Sequence, residues 1–203
     1  MEDPSPSLNT LLDEIRACRL CAAELPLGPR PVVRAAASAR ILVVGQAPGT
    51  AVHASGIPFD DPSGERLRDW MGVDPETFYD ESRIALVPMG FCYPGRGQSG
   101  DLPPKRRCAR TWRTPLLDAL GEIRLTLVIG QYAIAWHLPE AKPLNLTETV
   151  RRHADWGEGL LPLPHPSPRN NIWLARNPWF EAEVVPRLRE RVRETLGPTS
   201  SKQ

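Results

Sequence analysis

The segment "RILVVGQAPG", residues 40–49, decides the expected fold. Four aliphatic residues in a row, followed at once by a Gly/Pro-rich turn, are typical of a strand buried on both faces. Three later segments have the same short, largely apolar character: "RIALVPMGF" (83–91), "LTLVIGQ" (125–131) and "LLPLPH" (160–165). Three of the four runs lead into Gly- or Pro-rich turns, as parallel strands beneath helices do.

Helical patterns lie before, between and after these runs. Ser63 is the expected cap of a helix that stops at Gly72, and Pro115 is expected to break or kink a helix that runs to Gly121. Other helical patterns cover 7–18, 145–157 and 177–197. This alternation predicts an α/β fold, a three-layer sandwich with a central four-stranded, mostly parallel sheet flanked by helices.

The chain has 203 residues, which suits one domain, and we expect it to cover 1–203 with loose termini at about 1–6 and 198–203. The formal net charge is +1, so overall charge carries no argument about a nucleic-acid partner. No apolar run is long enough to cross a bilayer, and the acidic, polar start is unlike a signal peptide. We therefore expect a cytoplasmic monomer without a membrane partner.

Four cysteines occur, and the first two form a CxxC pair. They are Cys18, Cys21, Cys92 and Cys108. In a cytosolic chain a structural disulfide is not expected, and a CxxC pair with two further cysteines indicates a metal site. Four thiolates hold either zinc or an iron–sulfur cluster, and the ligand count does not choose between them. Four buried cysteines without a ligand are the structural alternative.

The segment "HPSPRN", residues 165–170, places a histidine between prolines directly after the last apolar run. Prolines exclude a regular helix or an inner strand here, so His165 is expected on a stiff loop at a strand end. In parallel sheets, ligands bind beyond the carboxyl ends of the strands. A Pro-rich connection with an exposed histidine is the structural alternative.

Together these motifs resemble the uracil-DNA glycosylase superfamily. The resemblance is carried by "GQAPG" (45–49), "GIPFDDPSGERL" (56–67), the four cysteines and "HPSPRN", and it covers about Cys18 to Asn170. The cysteine spacing is most similar to the iron–sulfur branch, families 4 and 5, and it implies a [4Fe-4S] cluster, with zinc as the alternative. The histidine motif looks more like that of the single-strand-selective uracil glycosylases.

The resemblance implies a DNA repair enzyme that flips a base out of DNA and hydrolyses its N-glycosidic bond. The expected partner is DNA that contains uracil or another deaminated base. Two alternatives stay open: a non-catalytic member of the fold that binds damaged DNA, and a zinc-stabilised nucleoside or nucleotide hydrolase.

The resemblance also implies roles for individual residues. His165 is expected to donate to uracil O2, Phe59 to stack on the flipped base, and the backbone of Gln46 and Ala47 to contact the base or position water. Phe59 is equally an ordinary core residue in pattern. Expected DNA contacts are Ser63, Ser167, Arg169 and Asn170, together with Lys105 and Arg106 from a local basic cluster.

Two departures from the family pattern bear on catalysis. Many relatives carry a water-holding Asp or Asn where this chain has Ala47, so His53, Asp60 and Asp61 become the candidates for that role. Relatives also place an asparagine at the end of the second strand to contact the uracil edge. Here the stretch is "VPMGFC" (87–92), so we expect the backbone around Gly90 to contact the base, unless the base is not uracil or catalysis is feeble.

Overall fold

The four predicted strands form one parallel sheet in the order β2-β1-β3-β4. A computed structural model of the chain describes residues 7–98 and 100–197, so the termini predicted to be loose lie outside the described residues. The strands are β1 (Ile41–Val44), β2 (Ile84–Leu86), β3 (Leu125–Ile129) and β4 (Leu160–Leu163). Their parallel pairing brings all four carboxyl ends to one edge of the sheet.

Helices cover both faces of the sheet. In the described residues they are α1 (Leu8–Ala17), α2 (Thr50–Ser55), α3 (Pro62–Met71), α4 (Pro75–Tyr79), α5 (Arg106–Asp118), α6 (Gly130–His137), α7 (Leu146–Arg151), α8 (Asn171–Arg176) and α9 (Val185–Leu196). One face of β1 packs Leu42 against α1, α5 and α6, and the other packs Val43 against α3 and α9. The predicted three-layer α/β arrangement is confirmed.

One predicted helix cap is wrong, and the helix break that Pro115 offered as one possibility does not occur. The cap of α3 is Asp61, whose carboxylate accepts a hydrogen bond from the Gly64 backbone N–H at 2.9 Å, whereas Ser63 is buried in the first turn. Pro62 takes the first helical position, where its missing N–H costs nothing, and this places the cap two residues before Ser63. Helix α5 continues through Pro115, which is exposed, so water can satisfy the carbonyl that loses its partner.

Candidate active site

One cleft, with a volume of about 620 Å³, lies beyond the carboxyl ends of the four strands. Segments that follow each strand contribute to its walls. Nine of the predicted site residues line it: Gln46, Ala47, Phe59, Asp61, Ser63, His165, Ser167, Arg169 and Asn170. Five others do not: His53, Asp60, Gly90, Lys105 and Arg106. Residues more than 100 positions apart in the chain therefore share one site because parallel strands end together.

His165 is held in one orientation by its own loop. Its Nδ1 accepts a hydrogen bond from the Ser167 backbone N–H at 3.2 Å, and Asn170 Nδ2 donates to the His165 carbonyl oxygen at 2.6 Å. Arg66 of α3 donates to the carbonyl oxygens of Pro166 and Ser167, both at 3.3 Å. Because Nδ1 is an acceptor, the neutral ring carries its hydrogen on Nε2.

The cleft keeps this histidine neutral. Burial lowers the pKa of His165 below its ordinary value, while the negative charges of Asp61 and Asp101 oppose that shift and Arg169 adds to it. A neutral imidazole with a fixed Nε2–H donates one hydrogen bond to a group in the cleft.

Phe59 has a strained backbone that fixes its ring. It is the one non-glycine residue with a positive φ, 56°, among the described residues. Its carbonyl accepts a hydrogen bond from the Tyr79 hydroxyl at 3.2 Å, and a Cβ on Gly64 would meet that carbonyl oxygen at 1.8 Å. The ring also lies edge-on to Phe78, with centroids 6.0 Å apart, so Phe59 joins the core and lines the cleft at once.

The backbone polar groups at the end of β2 form hydrogen bonds within the protein. The N–H groups of Met89 and Gly90 donate to the carbonyl oxygens of Gly45 and Gln46 at 2.8 and 3.0 Å. The carbonyl oxygens of Val87 and Pro88 accept hydrogen bonds from Arg113, and Pro88 has no N–H. The N–H groups expected to contact a base are therefore already bonded.

The three residues predicted to hold water differ in whether they line the cleft. Asp61 lines the cleft but caps α3, and Asp60 lies outside the lining. The ring of His53 is 6.2 Å from that of Tyr93, and its buried Nδ1 has no partner in the described residues.

Five polar or charged residues of the cleft were not predicted as site residues: Thr50, Tyr93, Arg96, Asp101 and Gln131. Gln131 lies two residues after β3, so its position near a strand end was the available signal. Asp101 lies in a loop that no local pattern connects to the cleft.

The four cysteines line a second pocket, which we call the cysteine pocket. Its other walls are mainly apolar, and Cys108 Sγ accepts a hydrogen bond from the Phe91 backbone N–H at 3.4 Å. Burial raises the pKa of Cys108 to about 12. Across residues 7–98 and 100–197, no three His, Cys, Asp or Glu side chains are grouped as ligands of a single metal ion.

Two neighbours of this pocket were expected at DNA phosphates. Lys105 lines the cysteine pocket and pairs with Glu24, at 3.3 Å between Nζ and Oε2. Arg106 is exposed at the start of α5. Phosphate contacts by Lys105 and Arg106 stay predictions.

A cleft at the strand ends, with a fixed neutral donor and an aromatic ring, fits the class of hydrolases that act on an extruded base. The chain belongs to the uracil DNA glycosylase superfamily, whose family model matches residues 33–189. It is therefore a DNA-repair hydrolase of the glycosylase type, and its substrate is DNA with damaged bases. In the described part of the chain, no helix has both the length and the apolar character needed to span a membrane.

Proposed function

We propose that this protein removes uracil, or a related deaminated base, from DNA by hydrolysing the N-glycosidic bond. The observation that carries the proposal is the His165 ring, held neutral with its Nε2–H available in the same cleft as Phe59. Breaking the bond leaves negative charge on the base, and a preorganised donor stabilises charge that develops only in the transition state.

Gln131 is our candidate for contacting the base edge. The other amides of the cleft are engaged, since Gln46 donates to the Leu102 carbonyl at 3.0 Å and Asn170 donates to that of His165. The exposed side-chain amide of Gln131 lines the cleft and makes no hydrogen bond within residues 7–98 and 100–197. A free amide offers a donor and an acceptor together, which matches the adjacent acceptor and N–H of a deaminated base.

The test is release of free base from matched oligonucleotides, single- and double-stranded, that carry uracil, hypoxanthine, xanthine or an undamaged base. We expect release of a deaminated base, abolished or strongly reduced in His165→Ala. Gln131→Ala should lower the rate of base release from the preferred lesion. It should also reduce the ratio of that rate to the rate on other bases. Release from none of these substrates would refute the proposal.

The rival function is damage binding without catalysis. Ala47 and the bonded backbone at the end of β2 favour it, because two groups that relatives use are missing. Tight binding of uracil-containing DNA with no base release would favour this rival.

We also propose that the cysteine pocket holds a [4Fe-4S] cluster through Cys18, Cys21, Cys92 and Cys108. The four thiols share one largely apolar pocket, yet they are not grouped as ligands of one ion, and a cluster has larger distances between its ligands than zinc has. When bound, the cluster would supply a covalent link between the chain after α1 and the segment after β2.

A further inference from the structure

We infer that Asp101 holds and deprotonates the water that attacks the sugar. This inference rests on the proposed glycosylase function and names the group that replaces the acidic or amide residue absent at Ala47. It concerns a loop outside the motifs that carry the family resemblance.

Two carboxylates line the cleft within the described residues, Asp61 and Asp101. One oxygen of Asp61 accepts a hydrogen bond from the Gly64 N–H at the start of α3, whereas the exposed Asp101 carboxylate accepts none within the described part of the chain. A general base needs a carboxylate whose lone pairs are free for water.

Hydrogen bonds hold the loop that contains Asp101. Gln46 Nε2 donates to the carbonyl of Leu102, the residue next to Asp101, at 3.0 Å. The Leu102 N–H donates to the Gly95 carbonyl at 2.8 Å, and Asp101 itself forms a β-bridge with Arg96. These bonds fix the backbone of Asp101 against the 45–49 turn.

The Asp101 carboxylate lies close to the 45–49 turn. Asp101 Oδ2 lies 3.6 Å from the point that a Cβ on Gly49 would occupy, so it stands over the same turn that contains Ala47. Its charge also acts on His165, where it raises the pKa against the effect of burial. The carboxylate and the imidazole therefore line the same cleft.

The two groups divide the reaction between them. The bond from the sugar C1′ to the base nitrogen breaks, and its electron pair stays on the base, where the His165 Nε2–H stabilises it. The water oxygen forms the new bond to C1′, and the proton that the water loses passes to the Asp101 carboxylate. That proton then leaves to solvent, from which the base anion is protonated.

The experiment compares Asp101→Asn with Asp118→Asn, which changes another exposed carboxylate, one outside the cleft lining. Single-turnover base release should fall about 10²–10⁴-fold in Asp101→Asn, the usual range for a general base, and stay near wild type in Asp118→Asn. Affinity for lesion DNA should be kept or improved, because a negative charge near phosphates is removed. Added formate should restore part of the rate of Asp101→Ala.

The outcomes separate this inference from the proposed function. Wild-type protein that releases no base from any substrate overturns both. An active wild type with an equally active Asp101→Asn variant overturns the role of Asp101 alone. Equal losses of affinity and rate, with no rescue of Asp101→Ala by formate, would make Asp101 a structural residue and also overturn it.

Discussion

The backbone N–H of Ser167 donates to Nδ1 of His165 across 3.2 Å and decides which ring nitrogen carries the hydrogen. A neutral imidazole has one hydrogen, and this bond assigns it to Nε2. The histidine therefore needs no change of tautomer or orientation when charge develops on the leaving base, which is the condition under which a donor contributes most to a rate.

Removing this donor should affect chemistry more than binding. We expect His165→Ala to lose about 10²–10³ in single-turnover base release, with little change in affinity for lesion DNA. His153→Ala, a histidine outside the cleft lining, is the matched control and should stay near wild type. Equal losses of rate and affinity in His165→Ala would contradict the assignment.

The ring of Phe59 should respond to a single methyl group on its neighbour. A Cβ on Gly45 would lie 3.1 Å from Phe59 Cζ, so Gly45→Ala should displace the ring and weaken base release. Phe59→Ala should cost about 1–3 kcal/mol of transition-state stabilisation, the usual scale of base–aromatic stacking. Gly121→Ala has open space for its methyl and should be neutral in the same assay. Full activity of Gly45→Ala would show that the ring position is not critical.

Arg169 should contribute to DNA binding through charge. It lines the cleft on the His165 loop, with Nη1 2.8 Å from the point that a Cβ on Gly100 would occupy. We expect Arg169→Ala to weaken DNA binding and to lower the slope of log affinity against log salt by about 1. Arg176→Ala, which removes an exposed charge outside the cleft lining, should change neither quantity as much. An unchanged salt slope would exclude a phosphate contact.

The metal and sulfide content of the protein tests the proposed cluster in the cysteine pocket. Protein prepared without oxygen should contain iron and acid-labile sulfide, and Cys108→Ser should lose both and melt at a lower temperature, because ligation and folding are coupled. The same loss of iron and sulfide is expected for Cys18→Ser, which removes the proposed ligand at the end of α1. Zinc in place of iron, in protein made with ample iron, would refute the cluster.

The contact between Arg113 and His137 predicts a pH dependence of stability. Arg113 Nη2 lies 2.7 Å from His137 Nε2, and burial, followed by the charge of Arg113, lowers the pKa of His137 to about 3. Unfolded His137 titrates near 6.5, so between these values the unfolded chain binds a proton that the folded chain does not. The free energy of unfolding should therefore fall as the pH drops from about 6.5 toward 3.

The matched variant is His137→Gln, whose amide oxygen still accepts from Arg113 but does not titrate. Relative to this variant, the wild type should lose up to about 1.4 kcal/mol of stability per pH unit in that window, measured by unfolding at several pH values. Parallel stability curves for the two proteins would contradict the pKa shift.

Local sequence pattern was sufficient for the sheet and for most of the cleft. Runs such as Ile41–Val44 are apolar on both faces because helices cover both faces of the sheet, and this leaves a signal within four residues. Since parallel strands end at one edge, the sequence alone predicts that the motifs after β1 and β4 lie together. The short helices α2, α4 and α8 have five or six residues each, too few for a helical period to appear.

Only the tertiary structure decided where side chains of the same chemistry lie relative to the cleft. Asp60, Asp61 and Asp101 have the same chemistry, and they differ in placement: Asp60 lies outside the cleft lining, Asp61 caps α3, and Asp101 lines the cleft beside the 45–49 turn. The contact that holds the third in place joins Gln46 to Leu102 across 56 positions of the chain. Such long-range contacts depend on how loops pack after the sheet has formed, and no periodicity or spacing within one segment encodes them.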